Sequence, residues 1–247
     1  DNLRTYTEEA EWNFEVFKEI AKELYRVTKD GGVVVWVVGD ATINGSETGT
    51  SFKQALYFKE IGFNLHDTMI YAKNNPVPVY SNNRYYPCFE YMFVFSKGKP
   101  KTFNLILEET ATKGKIFQFK QRYPDGSLRK ATGYGKPVKP TRPKYNIWFY
   151  KVGGRLSATD KIAYNHPAIF PEQLAQDHIL SWSNEGDIVY DCFMGSGTTA
   201  KMAILNNRNY IGSEISKEYC NIAEERLNLI KSNFFRDIEW RTDCHSI

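Results

Sequence analysis

The chain has 247 residues, 42% hydrophobic and 15% aromatic, which suits one large domain or one domain carrying an insertion. No uncharged apolar run approaches about 18 residues, so no membrane span is expected, and the start lacks the basic-then-apolar pattern of a signal peptide. Cys88, Cys192, Cys220 and Cys244 show no C-x-x-C spacing, so neither a zinc site nor a disulfide framework is indicated and a reduced, cytoplasmic protein is expected. The net charge of +3 hides an asymmetry, because Lys97 to Lys144 holds thirteen Lys or Arg against Glu108, Glu109 and Asp125. A local excess of that size points to a polyanionic partner.

Taken in order, Glu8 to Thr28 spaces Phe14, Phe17, Ile20, Ala21, Leu24 and Val27 as an amphipathic helix, with Thr7 as its cap and Gly31-Gly32 as its stop. Val33 to Val38 is a continuous apolar run, as in a parallel strand buried on both faces. Asp40 follows at its C-terminal end, either as a site group or as a turn residue. A helix is expected over Ser51 to Ile61, and strands over Asn64 to Lys73 and Cys88 to Ser96. From Lys97 to Tyr150 the periodicity fails and Lys, Arg, Gly, Pro and Tyr dominate, with short strands expected at Ile116 to Phe119 and Asn146 to Tyr150. Tyr123, Tyr134 and Tyr145 interleave with the cations, as in a nucleic-acid-binding segment, and long irregular insertions are usually functional.

Regular α/β character returns at Asn165-His166-Pro167, and Pro171 opens a helix through Leu174, Ile179 and Trp182. Asp187 to Tyr190 then predicts a buried strand and Thr198 to Asn207 a helix, joined by Asp191-Cys192-Phe193-Met194-Gly195-Ser196-Gly197. Glycines at such a strand-to-helix turn let the main chain approach a ligand held by the helix N-terminus. The next strand, Asn209 to Ile215, carries Glu214, placed to accept ribose hydroxyls. Ser216 caps a last helix, Lys217 to Leu229, and no strong signal follows Lys231. His66, His178 and His245 are expected to be structural or surface groups, and Trp36 a core residue. The spacing Gly195-x-Gly197-x-x-Ala200 also satisfies a dinucleotide pattern, so an NAD-dependent oxidoreductase stays open beside a methyl-donor site.

The order of helix, strand, aromatic loop, basic segment, H-P-A-I-F-P-E-Q-L and then D-C-F-M-G-S-G-T-T resembles the beta-class amino-methyltransferases of DNA, over nearly the whole chain. The resemblance implies a Rossmann-like α/β sheet with helices on both faces and an inserted basic target-recognition region. It divides the chain into a catalytic half (1–96), the insertion (97–150) and an S-adenosylmethionine-binding half (151–247). Phe193, Gly195, Gly197 and Thr198 would then line the methionine side of the cofactor, with Asp191 at its amino group and Glu214 at its ribose. His166, Pro167 and Phe170 would close the pocket. Tyr71 to Asn74, with Arg84, Tyr85, Tyr86 and Glu90, would lie near a flipped base. Lys120, Arg122, Arg129 and Lys130 would join Arg84 and Tyr85 in contacting double-stranded DNA. The implied reaction moves a methyl from S-adenosylmethionine to N6 of adenine or N4 of cytosine, within a restriction-modification system. A homodimer or a cognate restriction enzyme would be the protein partner. The family's D-P-P-Y or S-P-P-Y tetrad is absent from these residues. Asp1 to Tyr6 resembles the text that follows it, so the sequence is expected to start one strand late. Taken as it stands, the chain would be a non-catalytic, DNA-binding fragment.

Overall fold

The computed structural model describes residues 13–76, 78, 83–153 and 156–242, with side chains beyond 230 described only at Ser232. The expected Thr7 cap and His245 lie outside these residues. The first helix, α1 (Phe14–Val27), is capped by Asn13, whose side-chain oxygen accepts from Glu15 N at 2.9 Å and Val16 N at 3.0 Å. Such a cap is worth about 1 kcal/mol. Next come β1 (Val33–Val38), the small hairpin β2 (Thr42–Ile43) and β3 (Ser46–Glu47), α2 (Thr50–Glu60), β4 (Asn64–Lys73) and β5 (Phe89–Ser96). Gly49 at the N-cap of α2 has no side chain to offer, and Asp40 replaces it by accepting from Ser51 N at 3.0 Å, the Ser51 hydroxyl and Thr48 Oγ1. Burial opposes ionisation of Asp40, but these hydrogen bonds outweigh it and hold the carboxyl below its ordinary value. Of the two readings left open for Asp40, the turn role is the one its contacts occupy.

The main sheet has the order β1, β5, β4, then β10 (Ile147–Tyr150); β5 runs antiparallel to both neighbours and β10 is parallel to β4. Alternation along β5 separates two cores. Phe93 and Phe95 join Trp36, Phe17, Leu24, Ala55 and Phe58 under α1 and α2. Met92 and Val94 face the other way, towards α3 (Glu172–Trp182), where His178 meets Met92 Sδ at 3.2 Å and Tyr150 donates to Asp177 at 2.7 Å. Helices thus cover both faces, and the chain is an α/β protein of Rossmann-like type. Trp36 is core, as expected, and donates to Gln54 at 2.8 Å. His178 stacks on Trp148 and His66 lies edge-on to Trp182, so both are packing groups.

The strands β11 (Ile188–Asp191) and β12 (Asn209–Gly212) form a separate parallel pair, with α4 (Thr198–Leu205) between them in sequence and α5 (Lys217–Thr242) after them. Two expectations are corrected here. β1 pairs antiparallel with β5 and shows no ladder on its other edge among the described residues, so only Trp36 in it is fully buried. β11 is not a buried strand either: Ile188 and Tyr190, which share one face, are exposed, while Val189 on the other face packs against the α3–α4 core. α5 runs to Thr242, past the expected end at Leu229, because neither proline nor glycine interrupts residues 230–242.

Residues Leu105–Tyr145 form a compact unit of their own, within the expected 97–150 segment. It holds β6 (Leu107–Glu109) paired with β9 (Thr141–Pro143), and the hairpin β7 (Lys120–Arg122) with β8 (Leu128–Lys130). The strand expected at Ile116 to Phe119 reduces to one bridge, Ile116 to Pro137. The tight turn at Pro124-Asp125-Gly126-Ser127 sets the register instead: Tyr123 N bonds Ser127 O at 2.9 Å and Gly126 takes φ +80°, so pairing grows outward from Arg122 and Leu128.

Candidate functional site: the glycine turn after β11

β11 delivers Asp191 to the end of the sheet, and the chain then turns through Gly195 (φ +48°) and Gly197 (φ +78°) into α4. Both glycines sit in the left-handed region that other residues avoid. The turn is pinned from three sides. Met194 N donates to Ser213 O at 2.9 Å, and Gly197 N returns to Met194 O at 2.8 Å. The Met194 side chain lies against Gly212, where an added Cβ would fall 1.8 Å from Sδ, so a side chain at 212 would force Met194 to move. Behind Gly197, Ala223 of α5 stands 3.2 Å from where a Cβ would be.

The carboxylates lie at the ends of the two adjacent parallel strands. Asp191 Oδ1 accepts from Phe193 N at 3.0 Å. Glu214, two residues past β12, accepts from Gly195 N at 2.8 Å with one oxygen and from Ser216 N at 3.0 Å with the other. A carboxylate has about four acceptor sites, so Glu214 retains capacity for ligand hydroxyls while its backbone bonds hold it in place. His166 leans on the turn: its Nε2 is 3.1 Å from the Cβ position of Gly195, and Tyr219 meets its ring edge-on at 4.2 Å between centroids. Burial pushes the His166 pKa below its ordinary value, so the ring is neutral at pH 7. Burial likewise raises the Cys192 thiol to about 12, with Asp191 adding to it, so this cysteine is no nucleophile at neutral pH.

Asp191, Gly195, Gly197, Thr198, Glu214 and His166 therefore converge on one turn. Phe193 is half-exposed, with its ring 5.9 Å from Trp36. Pro167 is exposed, and Phe170 packs against Ala175, Ile179, Met202 and Ala203 between α3 and α4. The donor set fits an adenosyl cofactor bearing a cationic amino-acid end: a helix N-terminus, glycines that admit close approach, and one acid on either side.

Elsewhere, Arg84 donates to Gly45 O and stands 4.0 Å from Glu47, while Tyr85 is fully exposed. Lys73 and Glu90 pair at 2.5 Å at the same end of the sheet as Asp40. In the smaller unit, Lys120, Arg122, Arg129 and Lys130 are all exposed on the β7–β8 hairpin. Arg129 is bonded to Asp125 at 2.7 Å and stacks on Tyr123. Sequence reasoning missed Asp160, Glu172, Lys201 and Arg226. Their signal was faint: single cations, Lys201 and Arg226, set inside the apolar stripes of two helices.

Comparison with known proteins agrees with this geometry. The DNA methylase family of N6/N4 methyltransferases matches residues 4–225. The orphan methyltransferase M.BamHII of Bacillus amyloliquefaciens is 61% identical over 233 residues, covering 92% of this chain and 84% of the relative. The type II methyltransferase M.MjaI of Methanocaldococcus jannaschii is 30% identical over 220 residues, covering 84% of this chain and 65% of its own length. Among solved structures, the M1.HpyAVI–SAM complex superposes with a TM-score of 0.60 at 25% identity, covering 87% of this chain and 83% of that one. The cytosine-N4-specific PvuII DNA methyltransferase shares the fold, with a TM-score of 0.62 at 19% identity over 85% of this chain and 68% of its own. By the extent of these matches, the chain belongs to the DNA methylase family of N6/N4 methyltransferases.

Proposed function

We propose that the chain binds S-adenosylmethionine at the glycine turn and serves methyl transfer to the exocyclic amine of adenine (N6) or cytosine (N4) in double-stranded DNA. The observation that carries this reading is the pairing of two left-handed glycines with Asp191 and Glu214 at the ends of adjacent strands. When bound, the cofactor supplies a methyl group made electrophilic by its sulfonium. Gly195 and Gly197 would admit it to the main chain, Glu214 would hold its ribose, and Asp191 its ammonium. Neutral His166 would wall the turn without repelling a cation. The acceptor amine is a weak nucleophile because its lone pair is conjugated with the ring, so orientation and exclusion of water carry much of the rate. A base inside a duplex must first be flipped out, at a cost of a few kcal/mol. The family match removes the ground for the nicotinamide alternative. Parallel calorimetric titrations are expected to show S-adenosylmethionine binding and no response to NAD; the reverse result would overturn the assignment.

DNA contact is assigned to Lys120, Arg122, Arg129 and Lys130, with Arg84 and Tyr85 on the larger unit. The supporting observation is a register that places Lys120 directly opposite Lys130 on an exposed two-stranded hairpin. Like charges so placed destabilise a hairpin, and a phosphate chain between them turns the cost into a gain. The variant Lys120→Ala/Lys130→Ala is expected to lower the slope of log K against log salt by about 2, one per lost phosphate contact. An unchanged slope in filter binding to duplex DNA would remove the hairpin from the interface. A role beside a cognate restriction enzyme, homodimerisation and residence in the cytoplasm complete the proposal; sedimentation with and without DNA tests the dimer.

A further inference from the structure

Behind the glycine turn lies a closed group of four charges. The Arg226 side chain is 1% exposed, and every nitrogen of its guanidinium is used: Nε bonds Asp160 Oδ2 at 3.0 Å and Nη2 bonds Glu172 Oε1 at 2.7 Å. Nη1 donates to Ser196 O at 3.0 Å and to Thr198 Oγ1 at 2.9 Å. Lys201, 6% exposed, sits on the same two acids at 2.6 Å each and on Thr159 Oγ1 at 2.8 Å. Asp160 also accepts from Ala163 N at 3.2 Å, fixing the short turn (Ile162–Asn165) that delivers His166. Burial works against ionisation of Asp160, but Lys201 and Arg226 outweigh it and keep the carboxyl below its usual value, so the group is two cations balanced by two anions.

Burying such a group is expensive, and an apolar cluster of the same volume often stabilises a fold as well or better. Stability alone is therefore a poor reason for it. The guanidinium's contact with the main chain of the turn is informative. Ser196 lies between two glycines, where the backbone has the least intrinsic preference, so the direction of its peptide plane must be set from outside. Arg226 grips that carbonyl, and the next residue but one, from α5.

We propose that Arg226 is a positioning residue: by holding Ser196 O and Thr198 Oγ1 it aims the amino end of α4 at the cofactor, while Asp160 and Glu172 hold Arg226 and Lys201 balances their charge. The role rests on the methyl-donor reading of the turn, and it deepens that reading by placing a determinant of cofactor affinity outside the pocket. A lysine cannot replace the guanidinium here, since a point charge cannot span two acids and two turn acceptors at once.

The test compares Arg226→Lys with Lys201→Met in two readouts. In the cofactor-free protein, hydrogen exchange at the amides of Ser196 to Thr199 is expected to accelerate in Arg226→Lys and not in Lys201→Met, although both lower the urea midpoint. In titrations, Arg226→Lys is expected to weaken S-adenosylmethionine binding roughly ten- to hundredfold, the worth of one hydrogen bond to a charged group, with Lys201→Met unchanged. Exchange and affinity unaltered in Arg226→Lys, or altered equally in both variants, would overturn the proposal. Altered exchange in a protein whose wild type takes up no S-adenosylmethionine would instead defeat the cofactor assignment and leave the turn-holding role standing. Should Arg226→Lys not fold, the charge-balanced Glu172→Gln/Arg226→Gln carries the same comparison.

Discussion

Gly197→Val is expected to abolish measurable binding of S-adenosylmethionine while leaving the β1–β5–β4–β10 sheet intact. Two costs act together. At φ +78° a β-branched residue is strained by about 1–3 kcal/mol. Its Cβ would also stand 3.2 Å from Ala223 Cβ and 3.4 Å from Ala223 Cα, before either γ-methyl is placed. Neither α5 nor the turn can give way alone, because Arg226 ties them together. The α4 N-terminus must shift, and with it the donors that face the ligand. Calorimetry gives the affinity, and circular dichroism shows whether the rest is folded. Gly197→Ala separates the terms, since it keeps the backbone strain and most of the Ala223 contact but omits the branch. Wild-type affinity in the valine variant would mean that the cofactor does not use this turn.

The second large effect is expected at Glu214. Glu214→Ala removes the proposed ribose acid and leaves Gly195 N and Ser216 N without their acceptor. Loss of a charge-assisted bond is worth about 1.5–3 kcal/mol, which is roughly ten- to hundredfold in Kd. The turn loosens as well, so the effect lies at the upper end. Glu214→Gln should fall between the two, because its amide oxygen still accepts one backbone bond while the charge and the second acceptor oxygen are gone. Equal affinity across wild type, Gln and Ala would place the ribose elsewhere.

Much of this site was legible because its chemistry is local. Gly195, Gly197, Asp191 and Glu214 lie within one strand-turn-helix-strand unit, and backbone rules alone connect them. β4 follows the expected bounds to the residue, and α2 and β5 to within one residue, because apolar periodicity and flanking glycines mark them. What eluded sequence reasoning depends on partners distant in the chain. The exposure of one face of β11 follows from which face the helices cover, not from its own composition. The Ile116 segment is cut to a single bridge by the turn through Gly133 and Gly135 on the strand opposite, which sets Phe117 against Lys136 and Phe119 against Ala131. Arg226 was invisible for a related reason: its partners lie 66, 54, 30 and 28 residues away, and spacing on its own helix says nothing about them.

The bare flank of β1 has a practical corollary. Among the described residues, its five valines and one tryptophan leave a row of amides and carbonyls without a ladder, with none of the lysines or prolines by which edge strands usually discourage company. Any extended segment that docks there gains a full set of hydrogen bonds at once. An edge left open in that way is expected to show as concentration-dependent light scattering below the unfolding midpoint.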